Sequence, residues 1–599
     1  MVLSGIETVP PRVKRRTYGA RSLRVQRFVS PLVMWCVLGA LIVIPVACFL
    51  ALATSPRLFQ QGPEWFTLKY IGQAFSGSTA QGIINSLWVS LTAGVLCVAV
   101  ALGLAWAIHR TTLKGRRFWS TCVWGLLLIP TWVMTLGWQD LLQPFGGLSY
   151  LGIPNLWLYN LLMGPVGIVM ILTFAGVPFG YFVISASLRG LGQEYEDAAR
   201  THGASRWLSF KTIIPMVMPA LVSAFAICFA ETMSDFGVAF TLGYHAHFPL
   251  ATYTLFSAID NFPANFSVGA VIAIVLVASA IVPIVIQSRM MRGRNFAVLS
   301  GRNRQIRPRP LSARGQVMTT TAVGLFFAMA LGVPLFGAFL GSFTKNLGSF
   351  ANGGIQFTLD YYRQVLHPSI VDKGLGAPLL LSNKLALIVA TVAVMLGMVL
   401  ARQMLVRSRG ISAKITDLVL LGSIAVPGVV LGIGYIFSYN LPFVTNNIVN
   451  IYKTLPLLML ALIASALPAQ TRFVAAPLSQ LQPSLSDAAR VHGASRFGAW
   501  RASQLPLLSR VLIWAWLLTF ARTISELAIA QILYPPGTEP ASVAIQAYLA
   551  NFEDGTGTAM TMVTLLEMVG VILVVIALFR LLAPKGWRRI GWSLSERTS

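Results

Sequence analysis

Apolar runs long enough to cross a bilayer interrupt this 599-residue chain at nearly regular intervals, and little else can fold from such a pattern. They begin near residues 32, 84, 119, 160, 216 and 267, and again near 317, 380, 415, 453, 509 and 559. The first, Pro31 to Ala53, carries no charge over 23 residues and as a helix would measure roughly 34 Å, enough to span the hydrocarbon core. Inside lipid every backbone N–H and C=O must find its partner within the protein, which a helix does locally. With 56% hydrophobic and 11% charged residues, the composition excludes a water-soluble globular domain of this size. The expected fold class is all-α membrane protein, with twelve helices in two sets of six. Thirty residues precede the first run, which is too long for a signal-peptide core, so it is read as an uncleaved span.

A net charge of +26 would suggest nucleic acid in a soluble protein, but here placement decides. Arg12, Lys14, Arg15, Arg16, Arg21, Arg24 and Arg27 precede the first span; Arg110, Lys114, Arg116 and Arg117 follow the second run. Eight arginines and no acid occupy 289–314. These are the short-loop clusters that stay in the cytoplasm, so they read as topology determinants against anionic lipid, with no nucleic-acid partner. Alternating twelve spans from a cytoplasmic N-terminus places every strongly basic segment inside, including the tail with Lys585, Arg588 and Arg589. The expected division is a basic arm (1–30), a first half (31–291), an arginine-rich linker (292–315), a second half (316–584) and a tail (585–599). An even number of spans per half gives both the same orientation, related by a pseudo-two-fold along the membrane normal.

The halves share little sequence except one decapeptide. DAARTHGASR (197–206) recurs as DAARVHGASR (487–496), in the loops after the fourth and tenth spans, both cytoplasmic on this count. Asp197 opens an alanine-rich turn where a carboxylate is stabilised by the helix dipole; Gly203 allows a left-handed turn, and Ser205 can cap a second helix running to Pro215. The second copy repeats this with Asp487, Gly493, Ser495 and Pro506, with one residue inserted before the proline. An interfacial amphipathic hairpin at the headgroups is the alternative, and Arg200, Arg206 and Trp207 would suit it.

In these residues the chain resembles the membrane subunits of type I ATP-binding-cassette importers, whose cytoplasmic EAA motif is an acid, two alanines, a glycine and a later proline. The matching positions are Asp197, Ala198, Ala199, Gly203 and Pro215, within a coupling loop at 193–215. In the second half they are Asp487, Ala488, Ala489, Gly493 and Pro506, within 483–506. Both copies have Asp where Glu is usual. Two six-helix halves, each with the motif between its fourth and fifth helix, is the layout of the fused permeases of the ferric-iron, thiamine, phosphonate and polyamine group. The resemblance implies a bacterial inner-membrane permease with both termini cytoplasmic. It also implies two copies of an ATPase subunit carrying ATP and Mg, and a periplasmic or lipid-anchored binding protein. The loops would then be alike because two copies of one partner must fit both.

The chain itself has no Gly-Lys dipeptide, hence no G-x-x-x-x-G-K-[ST] phosphate loop, and is expected to be a transport subunit, not an enzyme, with no cofactor of its own. All five cysteines fall in apolar runs without metal-binding spacing. Tyr244, His245 and His247 share an external loop but lack further ligands, so no metal site is expected.

After each docking loop, FAETMSDFG (229–237) aligns with FARTISELA (520–528). Charged residues inside a membrane are costly and ask for a reason. Glu231 with Asp235, and Arg522 with Glu526, are spaced i, i+4 and expected to share a helix face lining the conduit, beside Ser234 and Ser525. Two readings stay open: a substrate pathway, or an arginine neutralising acids across the interface as a packing device. Three acids against one arginine would favour a cationic substrate. Ferric iron is the leading substrate; phosphonate, thiamine, polyamine and sugar phosphate are alternatives. A rival of another class is a secondary transporter driven by an ion gradient through Glu231, Asp235 or Glu567.

Overall fold

The computed structural model describes residues 32–583, apart from 144–146, 151–152, 154–155, 192–194, 196, 198–200, 204, 292–307, 346–355, 367–374, 407–410, 448–449, 482–483 and 552–553. The basic arm, most of the linker, the tail, and Ala198 and Ala199 therefore lie outside the described residues.

Among the described residues ten helices are long and apolar enough to cross a membrane, and the remaining two expected spans are each a bent pair of shorter helices. The first half comprises α1 (Leu32–Ala51), α2 (Gly77–Arg110), α3 (Arg116–Leu128), α4 (Thr131–Leu142), α5 (Pro165–Gly190), α6 (Arg206–Ser234), the short α7 (Ala251–Asp260) and α8 (Phe266–Met291). The second comprises α9 (Ala313–Phe343), α10 (Gly376–Val406), α11 (Ile411–Ile424), α12 (Gly428–Tyr439), α13 (Leu455–Ser479), the short α14 (Ser484–Val491) that opens the second decapeptide, α15 (Phe497–Ile524), the short α16 (Ala541–Ala550) and α17 (Asp554–Leu582). Among the described residues the β pairing is limited to two isolated bridges.

The third span of each half departs from a straight rod. It breaks at a proline, Pro130 or Pro427, and the two pieces meet at 97° and 112°. Proline cannot donate to the helical ladder and its ring excludes the helical path before it, so the chain turns and restarts with the proline as cap.

The halves interlock through these broken helices. The first helix of each half carries a π-helical segment, Gly39–Val43 in α1 and Ala328–Gly332 in α9, followed closely by Pro45 or Pro334. Each of these prolines presses its carbonyl against a glycine of the other half. A Cβ on Gly434 of α12 would lie 2.4 Å from the Pro45 oxygen, and one on Gly137 of α4 only 1.9 Å from the Pro334 oxygen. Small residues at such crossings let backbones approach within lipid, where packing replaces the hydrophobic drive. The α1–α12 seam is further tied by the Tyr435 hydroxyl, which donates to Leu41 O at 2.8 Å. Each half thus lends its first helix to the other, and the pseudo-two-fold relates the two exchanges.

The matched contacts extend to single hydroxyls. Ala251 N donates to Ser86 Oγ and Ala541 N to Ser382 Oγ, both at 2.8 Å. One irregularity also has a clear origin. The residue inserted after the second decapeptide is absorbed by a π-helical turn at Trp500–Gln504, where the ladder accommodates one extra residue, whereas α6 runs as unbroken α-helix.

Candidate functional site

Between the halves lies a cavity of about 350 Å³, and all six residues singled out as pathway candidates line it: Glu231, Ser234, Asp235, Arg522, Ser525 and Glu526. The sequence alignment of 229–237 with 520–528 thus brought together the right segments.

One expectation fails. The i, i+4 pairs do not lie on one helix face, because α6 ends at Ser234 and α15 at Ile524. Asp235 and Glu526 sit in the breaks that follow and act as caps. Val238 N donates to Asp235 Oδ1 at 2.7 Å. Glu526 accepts from Ile529 N at 3.1 and 3.0 Å and from Ala530 N at 3.1 Å. A helix restarting inside a membrane leaves N–H groups that water cannot satisfy, and a carboxylate there supplies both acceptors and a charge matched to the dipole. The break itself is held from its carbonyl side by matched hydroxyls: Thr252 Oγ1 donates to Asp235 O at 2.7 Å and Ser542 Oγ to Glu526 O at 2.6 Å.

The remaining charges face each other. Arg522 Nη2 lies 3.8 Å from Glu231 Oε2, across the two halves, with side-chain exposures of 53% and 30%. The guanidinium carbon also stands 5.9 Å from the centroid of the Phe179 ring. At that exposure the pair is solvent-screened and worth about 0–1 kcal/mol, whereas each charge-assisted bond to Glu526 contributes about 1.5–3 kcal/mol. Of the three acids, Asp235 and Glu526 accept from backbone N–H groups and Glu231 faces the arginine. Trp132 Nε1, which donates to Ser525 O at 3.2 Å, stitches the broken helix of one half to the break in the other. Ser234 Oγ is buried and has no partner among the described residues.

These environments separate the acids by role. Glu231→Gln should leave folding nearly unchanged but alter uptake or its selectivity, since only the half-exposed cavity wall loses a charge. Glu526→Ala should lower thermal stability by about 2 kcal/mol or more, because two backbone N–H groups, those of Ile529 and Ala530, lose their acceptor inside the protein. Thermal unfolding of the purified variants, alongside uptake, separates the two; unchanged uptake in Glu231→Gln would favour the packing role.

At the other candidate region the second decapeptide folds as expected from its sequence. Asp487 stands in the first turn of α14, whose described side chains include none that is buried. Gly493 closes the helix at φ 85°, with Ala494 N donating to Ala489 O at 3.1 Å and Gly493 N to Arg490 O at 3.0 Å. Ser495 Oγ then accepts from Gly498 N at 3.0 Å, starting the next helix. In the first copy Gly203 has φ 78° and Ser205 Oγ accepts from Leu208 N at 3.3 Å. Pro215 lies within α6 and Pro506 at the start of the α-helical part of α15, so both mark span interiors instead of loop ends. Val491 is 84% exposed and Phe497 68%, an apolar edge on each side of the glycine that no described residue covers.

Among the described residues no group of three His, Cys, Asp or Glu side chains could hold a metal ion. Sequence reasoning missed the Pro130 and Pro427 breaks and the capping duty of Asp235 and Glu526. The signal was present: a proline inside each apolar run, and a Ser-Asp or Ser-Glu just before a fresh apolar segment.

Residues 99–291 match the family described as binding-protein-dependent transport system inner membrane component. That segment ends where the first half ends and contains the first decapeptide. The ferric transport system permease protein FbpB of Actinobacillus pleuropneumoniae is 26% identical over 546 residues, covering 88% of this chain and 74% of that protein. A putative ferric transport system permease protein FbpB 1 of Haemophilus influenzae is 26% identical over 465 residues, 74% of this chain and 69% of that one. The molybdenum transport system permease protein ModB of Escherichia coli is 26% identical over 220 residues, 35% of this chain and 93% of its own length, as a single-half relative would be. The first half thus matches an inner-membrane permease family, and the two interlocked halves together are similar over most of the chain to fused ferric transport permeases, which supports a multi-pass transport subunit of the inner membrane.

Proposed function

We propose that the chain forms the alternating-access pathway of a ferric-iron importer, powered by two separate ATPase subunits and supplied by a periplasmic or lipid-anchored binding protein. Both decapeptides act as EAA-type coupling loops, each seating one ATPase on the cytoplasmic side, where the two termini also lie. ATP and Mg belong to those subunits, since this sequence lacks a phosphate loop. The observation that supports the coupling role is the repeated decapeptide itself, exposed along α14 in the second copy and closed in both copies by a left-handed glycine and a capping serine, as two equal partners would require. Iron rests on the two ferric-transport relatives, which align with most of the chain.

The gradient-driven alternative has less support. Glu567 accepts from Asn383 Nδ2 on α10 and is not among the residues lining the cavity, so Glu231, Asp235 and Glu567 do not form one track. The test of substrate is uptake into proteoliposomes holding the whole complex, with iron-loaded binding protein outside and ATP inside. ATP-dependent iron accumulation is expected; retention of another ligand by the co-purified binding protein, with no iron uptake, would reassign the substrate.

A further inference from the structure

The cytoplasmic end of the first half contains a buried cation that neither the cavity nor the docking turn accounts for. Arg110, the last residue of α2, is 1% exposed. Its Nη2 donates to Leu188 O at 2.7 Å and Leu191 O at 2.9 Å. Those carbonyls end α5, immediately before the first docking loop. The last carbonyls of a helix have no partner in the helix and carry the negative end of its dipole, so a guanidinium there fixes both position and direction of the chain that leaves it.

The same residue is tied on its other side. Arg309 N donates to Arg110 O and Thr112 N to Arg309 O, both at 2.9 Å, as the linker pairs in parallel with the loop at Thr111. Leu311 N then donates to Thr112 Oγ1 at 3.1 Å, and one residue later Ser312 caps α9 by accepting from Gly315 N at 3.2 Å. An unbroken line of bonds therefore joins the end of α5, Arg110, the linker and α9, the helix that crosses into the first half at Gly137. Among the described residues Arg110 is the only buried arginine. By the register that pairs Ser86 with Ser382, the position matching Arg110 is Val406.

We infer that Arg110 is a positioning residue that ties the first docking loop to the linker and α9, so that the two docking loops transmit motion unequally. Movement of the first loop is delivered through Arg110 to a helix of the opposite half; movement of the second reaches the membrane through its own helices. This inference rests on the coupling role proposed above.

The test uses the complete complex in proteoliposomes with iron-loaded binding protein, and reads iron imported per ATP hydrolysed. Arg110→Met should assemble with the ATPase and keep basal hydrolysis within about twofold, but lower the import-to-hydrolysis ratio by about tenfold or more. Arg110→Lys, which keeps a cation at the carbonyls, should recover the ratio to within about threefold of the parent. An unchanged ratio in Arg110→Met would overturn the inference. Should Arg110→Met not accumulate, a Thr112→Cys, Leu311→Cys pair in the otherwise intact chain decides instead. Oxidative cross-linking that preserves transport supports a fixed tie, and cross-linking that abolishes it contradicts one. If the parent complex shows no hydrolysis stimulated by binding protein, the importer reading fails, and not the assignment of Arg110 alone.

Discussion

Joint replacement of Asp197 and Asp487 by alanine should abolish the ATP hydrolysis stimulated by loaded binding protein, while the chain still inserts and folds. The two costs differ in scale. Within the chain, a carboxylate in the first turn of a short exposed helix contributes about 0.3–1 kcal/mol through the dipole, too little to unfold twelve packed spans. At a docked interface, loss of one partner of a buried charge pair costs about 2–5 kcal/mol. Taking 2 kcal/mol for each, a single replacement weakens seating about 30-fold, and two distant, independent sites combine to about a thousandfold. Each single variant should therefore show partial stimulation and the double variant none. Stimulation retained in full by the double variant would remove the docking assignment, and the interfacial-hairpin reading of these loops would take its place.

Gly137→Val should fail to give a stable protein, the largest structural effect expected of any single exchange here. A Cβ at Gly137 would meet the Pro334 oxygen at 1.9 Å and its carbonyl carbon at 2.5 Å, and a Cβ at Gly337 would meet the Gly137 oxygen at an equal 1.9 Å. Both walls are backbone, so no side chain can swing aside and the helices α4 and α9 must part. Overpacking of a core ordinarily costs about 1–3 kcal/mol, and rigid walls put this site at the upper end or beyond it. Gly434→Val against Pro45 should act likewise, somewhat more mildly at 2.4 Å. Gly103→Ala, on a helix face with nothing within 4 Å, is the control and should fold normally. Thermal unfolding in detergent and recovery from the membrane measure all three; a normally folded Gly137→Val would contradict the close crossing.

The fold was legible wherever one physical constraint acts alone. Uninterrupted apolar length fixed the spans, and short-loop arginines fixed an expected sidedness. The decapeptide gave its own local structure, because a left-handed turn needs Gly203 or Gly493 and a restarting helix needs Ser205 or Ser495. Legibility failed where lipid and protein make different demands on the same residues. Glu231 and Asp235 look alike in sequence, at helical spacing in one apolar run. Only the break after Ser234 separates a carboxylate that satisfies backbone N–H groups from one that faces the cavity. The exchange of first helices was hidden for another reason: Pro45 and Pro334 read as mild interruptions of a span, and nothing local names the glycine each will meet. The unequal wiring through Arg110 was hidden too, since an arginine ending a span satisfies the positive-inside rule whether it is solvated or buried.

The source of energy is the most direct point of attack on the whole account. The purified chain, reconstituted with and without its ATPase companions, should take up substrate from loaded binding protein only when both companions and internal ATP are present. Uptake by the chain alone, driven by an imposed ion gradient with no nucleotide, would contradict it.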